Sequence, residues 1–559
     1  MRRTMVLLAL LYFGPGLSAD EPKKAKAKPA VELPTGTMET KDWLAHPTTK
    51  LEKGEIDRLV AKALKEAKVE PSAVTTDEQF IRRVYLDLIG KLPMPADIAE
   101  FAADKNPDKR AKLIDKLLDS DDYSKHYAKY WREVFGGTRL TDFRARVLQR
   151  HFELWLVEQF KTNARWDKMA RDLITASGTM KNDEPTKNGQ LFFLLSRKGA
   201  DAKTELAAET SRIFLGTQIQ CAQCHDHPSD VWKRPQFHEF TAYFARMRER
   251  PIFEEKRIVG ASLVSLPFAE HKMPDKSDSK TGKTVLPRFL DGSAPKGGGR
   301  LSDQDRRNAL AESIVSKDNP WFAGAFVNRT WGLLMGQAFY TPIDDMGPMK
   351  EAVMPEVLAR VSGSFRGSGY DIKGLLRDIM NSETYQRQVR PGESIDSHIM
   401  FAGTKATRLS ADDLWNVLTG TLGTLGGGGF AGKGKGFPGK GFGGFGLEGV
   451  FKSEFGFDPS SKAEDIEGSI SQALMLMNNP AIQGKITAKG TNLLARILES
   501  NKDDEDAVRA VYLRALARRP TDREMRRCRE HIDNVGNRAE AFEDILWALI
   551  NSTEFQTRR

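Results

Sequence analysis

The 559-residue sequence predicts a mainly α protein: two helical domains with helix–turn–helix repeat units, joined by a small β hairpin. Three observations lead there. Apolar residues recur every three or four positions along most of the chain, the period of a helix with one buried face. Alternation of period two is confined to one region, residues 254–290. One helix–turn–helix pattern occurs near both ends of the chain.

Taken in order, the chain opens MRRTMVLLALLYFGPGLSAD. Arg2 and Arg3 precede an apolar run from Met5 to Phe13, and Gly14-Pro15-Gly16 breaks any helix before the small residues Ser18-Ala19. This pattern predicts a signal peptide over 1–19, too short to span a bilayer. The expected destination is periplasmic or extracellular, with no transmembrane span in the mature protein. Residues 20–50 begin EPKKAKAKPAVELPTGT and are expected to form a linker with little apolar surface to bury. An N-terminal helical domain follows over 51–250, carried by DEQFIRRVYLDLIGKL, RAKLIDKLLDS and HFELWLVEQFKTNARWDKMARDLITAS. In the connector 251–300, RIVGASLVSLP and KTVLPRFL flank a polar KSDSKTG, which predicts a hairpin. The C-terminal helical domain spans 301–559 and is interrupted by a glycine-rich tract at 419–447, expected to be disordered. Gly427 to Lys433 approaches a phosphate-binding loop, but Gly434 stands where a hydroxyl should hold magnesium and no strand precedes it.

The repeat aligns VYLDLIGKLPMPADIAEF (84–101) with VYLRALARRPTDREMRRC (511–528). Each copy runs on to a serine with an aromatic residue three positions later, Ser120 with Tyr123 and Ser552 with Phe555; Ser382 and Tyr385 repeat that ending alone. Each serine is expected to cap the following turn. Cys528 falls where Phe101 falls in the first copy, so it reads as a buried core thiol.

Charge excludes a nucleic-acid groove. Of the net +9, residues 1–30 contribute +4 and the tract 423–447 contributes +3, leaving +2 for everything else. Three cysteines are too few for a disulfide framework.

Chemistry concentrates in Cys221-Ala222-Gln223-Cys224-His225-Asp226-His227-Pro228. The spacing C-x-x-C-H is the attachment signature of haem c. Two thiols about one turn apart can each form a thioether to a vinyl group of the porphyrin, and the adjacent imidazole ligates the iron axially. Export agrees with covalent tethering. The same residues also fit a disulfide between Cys221 and Cys224, or a zinc site with His225, His227 or His238. After the motif, Phe237, Phe240, Phe244 and Met247 form one helical stripe that can cover a haem face or serve as ordinary core. Met247 is the candidate sixth ligand. His238 lies off the stripe, and His227 is too close to His225 to reach the opposite face of one iron. No hydrolytic or nucleophilic site stands out. Asp344-Asp345 and Asp412-Asp413 read as caps or solvated pairs, and His126, His151 and His398 as isolated residues in core or surface roles.

The chain resembles the secreted two-domain proteins abundant in planctomycetes, whose two parts are known only as domains of unknown function, the first a planctomycete cytochrome-c-type domain. The first part is matched by DEQFIRRVYLDLIGKLPMPADIAEF, RWDKMARDLITASG and SRIFLGTQIQCAQCHDHPSDVW. The second is matched by RRNALAESIVSKDNPWFAGAFVNRTWGLLMGQAF, SGYDIKGLLRDIMNSETYQ, RLSADDLWN and DILWALINSTEFQ. The resemblance implies that Cys221 and Cys224 anchor haem c and that His225 is its axial ligand. Where relatives commonly read Trp-Leu-Asp, this chain has Trp131-Arg132-Glu133, so no role of that aspartate carries over. The expectation is an exported c-type haem-binding protein with an electron-transfer or redox role and an unknown redox partner. The alternative is a non-catalytic secreted scaffold in which the motif is a disulfide or zinc site.

Overall fold

The computed structural model describes residues 34–136, 143–197, 199–275, 277, 281–389, 401–425, 446–461, 465–466 and 468–559. The expected signal peptide, the start of the linker and the heart of the glycine-rich tract lie outside the described residues. Helices dominate what is described, as the period of the apolar residues predicts.

Local chemistry sets their ends. Thr76 accepts the Gln79 amide at 3.3 Å while the Gln79 side chain accepts the Thr76 amide at 3.0 Å, a reciprocal cap that starts the helix Asp77–Ile89. Thr521 and Glu524 do the same for Asp522–Val535. The two helices stop at Gly90 (φ +62°) and Gly536 (φ +67°), conformations that a side chain disfavours. Ser120, Ser382 and Ser552 each accept the amide of the aromatic residue three positions on, at 3.2 Å in every case. Their spacing had predicted these caps.

The helix Asp77–Ile89 is buried on all sides from Phe80 onward. Charge there is offset by carbonyl oxygens and by opposite charge. Arg82 donates to the carbonyls of Leu516 (3.0 Å) and Glu554 (2.8 Å), close to the C-terminal ends of two helices, where the dipole is negative. Arg83 donates to the carbonyls of Tyr385 and Arg387, both at 2.8 Å. Asp87 accepts from the Tyr385 hydroxyl (2.7 Å) and from Arg558 (3.0 Å). One helix thereby fastens the middle of the chain and its C-terminus.

Buried apolar residues gather into two clusters. The larger draws its buried residues from Met38 to Ala402, with Ala517, and so includes both sides of the 251–300 connector. The second runs from Leu409 to Phe555 and takes in Leu86 from the buried helix. Part of the stretch 20–50 is ordered. Residues 35–37 form a strand paired with Glu351–Val353, and Thr40–Ala45 is a helix. Trp43 is 1% exposed and fills the space that a Cβ on Gly324 would occupy, 2.6 Å away. One buried indole outweighs the polar composition around it. At the glycine-rich tract, the helix Ala411–Leu422 carries the first residues of 419–447, and a helix Leu447–Phe455 begins at its end.

The connector holds two hairpins with pairings other than the expected one. Arg257–Ser265 pairs back with Met247–Glu254 and, on its other edge, with Gly178–Lys181. Gly282–Val285 pairs with His271–Pro274. Only Glu255 and Lys256 separate the first two strands, both left-handed at φ +46° and +65°, and so short a turn closes at little entropic cost. Gly260 is required in the middle strand, since a Cβ there would lie 2.2 Å from the Met180 carbonyl. Among the described residues no helix is long and apolar enough to cross a membrane.

Candidate functional site

The Cys221–His225 turn follows the helix Ala202–Leu215, which ends at Gly216 with φ +67°. A Cβ at Gly216 would lie 2.6 Å from the Met346 sulfur, and the Gly216 carbonyl accepts the Met346 amide at 2.7 Å. That close approach fixes where the next segment leaves. A 3₁₀ turn, Gln220–Gln223, then places Ala222 in the core at 0% exposure. With the small residue pinned inward, the flanking Cys221 and Cys224 are turned out. Both thiols are free and exposed, while Cys528 is free and buried, as its place in the repeat predicted.

Exposed His225 and half-buried His227 differ in tautomer. His225 Nδ1 lies 2.7 Å from the Asp226 carbonyl, which can only accept, so Nδ1 carries the hydrogen and the neutral ring keeps the Nε2 lone pair free. That is the tautomer a metal ligand needs. His227 Nδ1 accepts the Ser229 amide at 3.3 Å, which leaves the hydrogen on Nε2. His227 serves the loop, as does its amide, which donates to the Trp232 carbonyl at 2.8 Å. Asp226 holds the other side of the loop through the Arg234 amide (3.0 Å) and Lys233 (3.3 Å). Lys350 reaches across to Ser229 at 3.0 Å.

Behind the turn, His238 is 2% exposed and joins it to the second hairpin. His238 Nε2–H donates to the Gln223 carbonyl at 3.0 Å, so its Nδ1 accepts from His271 Nε2–H at 2.9 Å. The rings stack with centroids 5.2 Å apart. Burial holds both neutral. It lowers His238, and with His238 and Lys203 nearby it lowers His271 to about 4.

The apolar stripe is core. Phe237, Phe240 and Phe244 are at most 1% exposed, and the helix stops at Thr241. Met247 opens a strand and is seated in the main core at 6% exposure, away from the solvent-facing surface that the cysteines occupy. Among the described residues no three His, Cys, Asp or Glu side chains gather as a metal-binding group.

A cavity of about 790 Å³ lies elsewhere and is lined by residues that sequence reasoning set aside. His126 Nδ1 stands 3.0 Å from Asp413 Oδ1, and Asp412 receives Arg132 (3.1 Å), Lys452 (2.7 Å) and Lys129 (3.4 Å). The Arg132-Glu133 pair faces the same space. Only Ser410, three residues before Asp413 and accepting its amide at 3.1 Å, left a local signal, and it reads as a helix cap.

Two family models match the chain in tandem. Residues 55–249 match PSCyt2, a protein of unknown function (DUF1549), and residues 306–431 match PSD1, a protein of unknown function (DUF1553). No curated protein and no solved structure matches.

Proposed function

We propose that this tandem of PSCyt2 and PSD1 domains carries one covalently attached haem c and acts, after export, as an electron-transfer or redox protein. One observation carries the reading: two free, outward-facing thiols flank a buried alanine, and the histidine beside them keeps Nε2 free. Thioether formation needs reachable sulfurs. Each S–H adds across one vinyl group, its sulfur bonding one carbon and its hydrogen going to the other, with no net oxidation. Cys221 and Cys224 would hold the group and His225 Nε2 would ligate its iron, while Asp226 fixes the imidazole through Nδ1. Once bound, the group supplies one-electron chemistry. The name PSCyt2 itself hints at a cytochrome-like domain.

Two variants test it in cells that export the chain and attach haem c. Cys221→Ala with Cys224→Ala should yield colourless protein. His225→Ala should keep a haem that survives denaturation but shift the visible spectrum of the folded protein. Colour that persists without either cysteine would count against this site. A disulfide-stapled scaffold would instead be colourless in the wild type and release two alkylatable thiols only on reduction.

A further inference from the structure

The 790 Å³ cavity is built where the helix Asp121–Gly136 meets residues 405–413 and the helix Leu447–Phe455. Most of its charges are closed among themselves. Asp412 takes three cations, and Arg132 also binds Glu133 (2.5 Å) and Glu153 (2.6 Å). Two groups stay open. Arg408, half-buried, has no carboxylate partner among the described residues, and burial alone, with no acid to offset it, lowers its pKa. Its guanidinium lies against Gly468, where a Cβ would come within 3.0 Å of Nη1. His126 has Asp413 beside Nδ1, in space that Gly90 leaves by lacking a Cβ, and its Nε2 has no hydrogen-bond partner among the described residues. Around them Gln337, Thr341, Ser453 and Ser461 line the cavity with side chains that make no hydrogen bond within the described residues.

We propose that this cavity binds a small, hydroxyl-rich organic acid, with Arg408 taking the carboxylate and His126, with the surrounding alcohols and amide, taking the hydroxyls. An unneutralised guanidinium presents a fork that matches an oxyanion. A cavity of this size is typical for one small ligand, and free hydroxyl and amide groups set among apolar walls suit a ligand with both hydroxyls and C–H faces. Neither a nucleotide nor a bare metal ion fits as well. The cluster already neutralises its acids, and among the described residues no phosphate-cradling loop faces the space. The inference is independent of haem, because no residue of the Cys221–His225 turn lines the cavity.

Calorimetric titration of the full chain with D-glucuronate, D-galacturonate and gluconate tests it, with glucose and sodium sulfate as controls. At least one of the three acids should bind about tenfold or more tightly than either control. Arg408→Gln should weaken it by about tenfold or more, the effect of one charge-assisted hydrogen bond. Arg408→Lys should fall between, and His126→Gln should weaken it severalfold. Circular dichroism melts would confirm that each variant is folded. The proposal fails if none of the three acids binds, if folded Arg408→Gln binds undiminished, or if sulfate or glucose binds as well as the acid.

Discussion

His225 and His227 stand two positions apart and carry their ring hydrogen on opposite nitrogens, because one ring meets a carbonyl and the other an amide. The same logic makes the buried pair His238 and His271 an acid-sensitive point. His271 is held at about 4 in the fold, below the ordinary 6.5. A depressed base favours the folded state while neutral. Its contribution is therefore complete above pH 6.5 and is lost as pH falls from there toward 4. Melting temperature should drop over that window in the wild type and drop less in His271→Gln, and parallel pH profiles would contradict the assignment. At this scale, the chemistry legible in the sequence was the chemistry written contiguously. Cys221, Cys224 and His225 form one short motif. His126 and Asp413 come from distant parts of the chain, and nothing local marks either as half of a pair. The apolar stripe that nominated Met247 continues past the point where the helix has already become a strand.

At the scale of elements, capping residues and periodicity placed the helices well. The strands were harder. Met247–Glu254 reads MRERPIFE, in which charge and proline obscure the alternation, and its partner was fixed by a two-residue turn rather than by hydrophobic pattern. The two capping glycines give a matched test of what surrounds a helix end. Both Gly90 and Gly536 have positive φ, but a Cβ on Gly536 meets nothing within 4 Å, whereas one on Gly90 would lie 2.2 Å from Asp413 Oδ1 and 2.5 Å from His126 Nδ1. Gly536→Ala should cost about 1–2 kcal/mol of stability, the left-handed penalty alone. Gly90→Ala should cost about 1–3 kcal/mol more, because the His126–Asp413 pair must move. Equal losses in urea unfolding would mean that the pair is not held against Gly90.

For the whole molecule, buried contacts run across the β connector. The first core ignores the connector because helices on either side pack together, as Trp166 does with Phe326 at 4.7 Å between ring centroids. Such contacts leave no trace in a linear pattern. The C-terminus closes the assembly. Arg558 reaches Asp87 in the buried helix, and Thr557–Arg558 pairs with Thr407–Arg408. Arg558→Ala strands a buried carboxylate and should cost about 3–5 kcal/mol in chemical denaturation. A loss under about 1 kcal/mol would show that the end of the chain is not a fastening. The central claim, that the exposed turn at Cys221–His225 holds haem c, is tested most directly by the intact mass and absorption spectrum of the exported protein after acid denaturation. The account predicts one haem added to the polypeptide mass and colour that stays with the unfolded chain. A colourless protein of bare polypeptide mass, with Cys221 and Cys224 both open to alkylation, would contradict it.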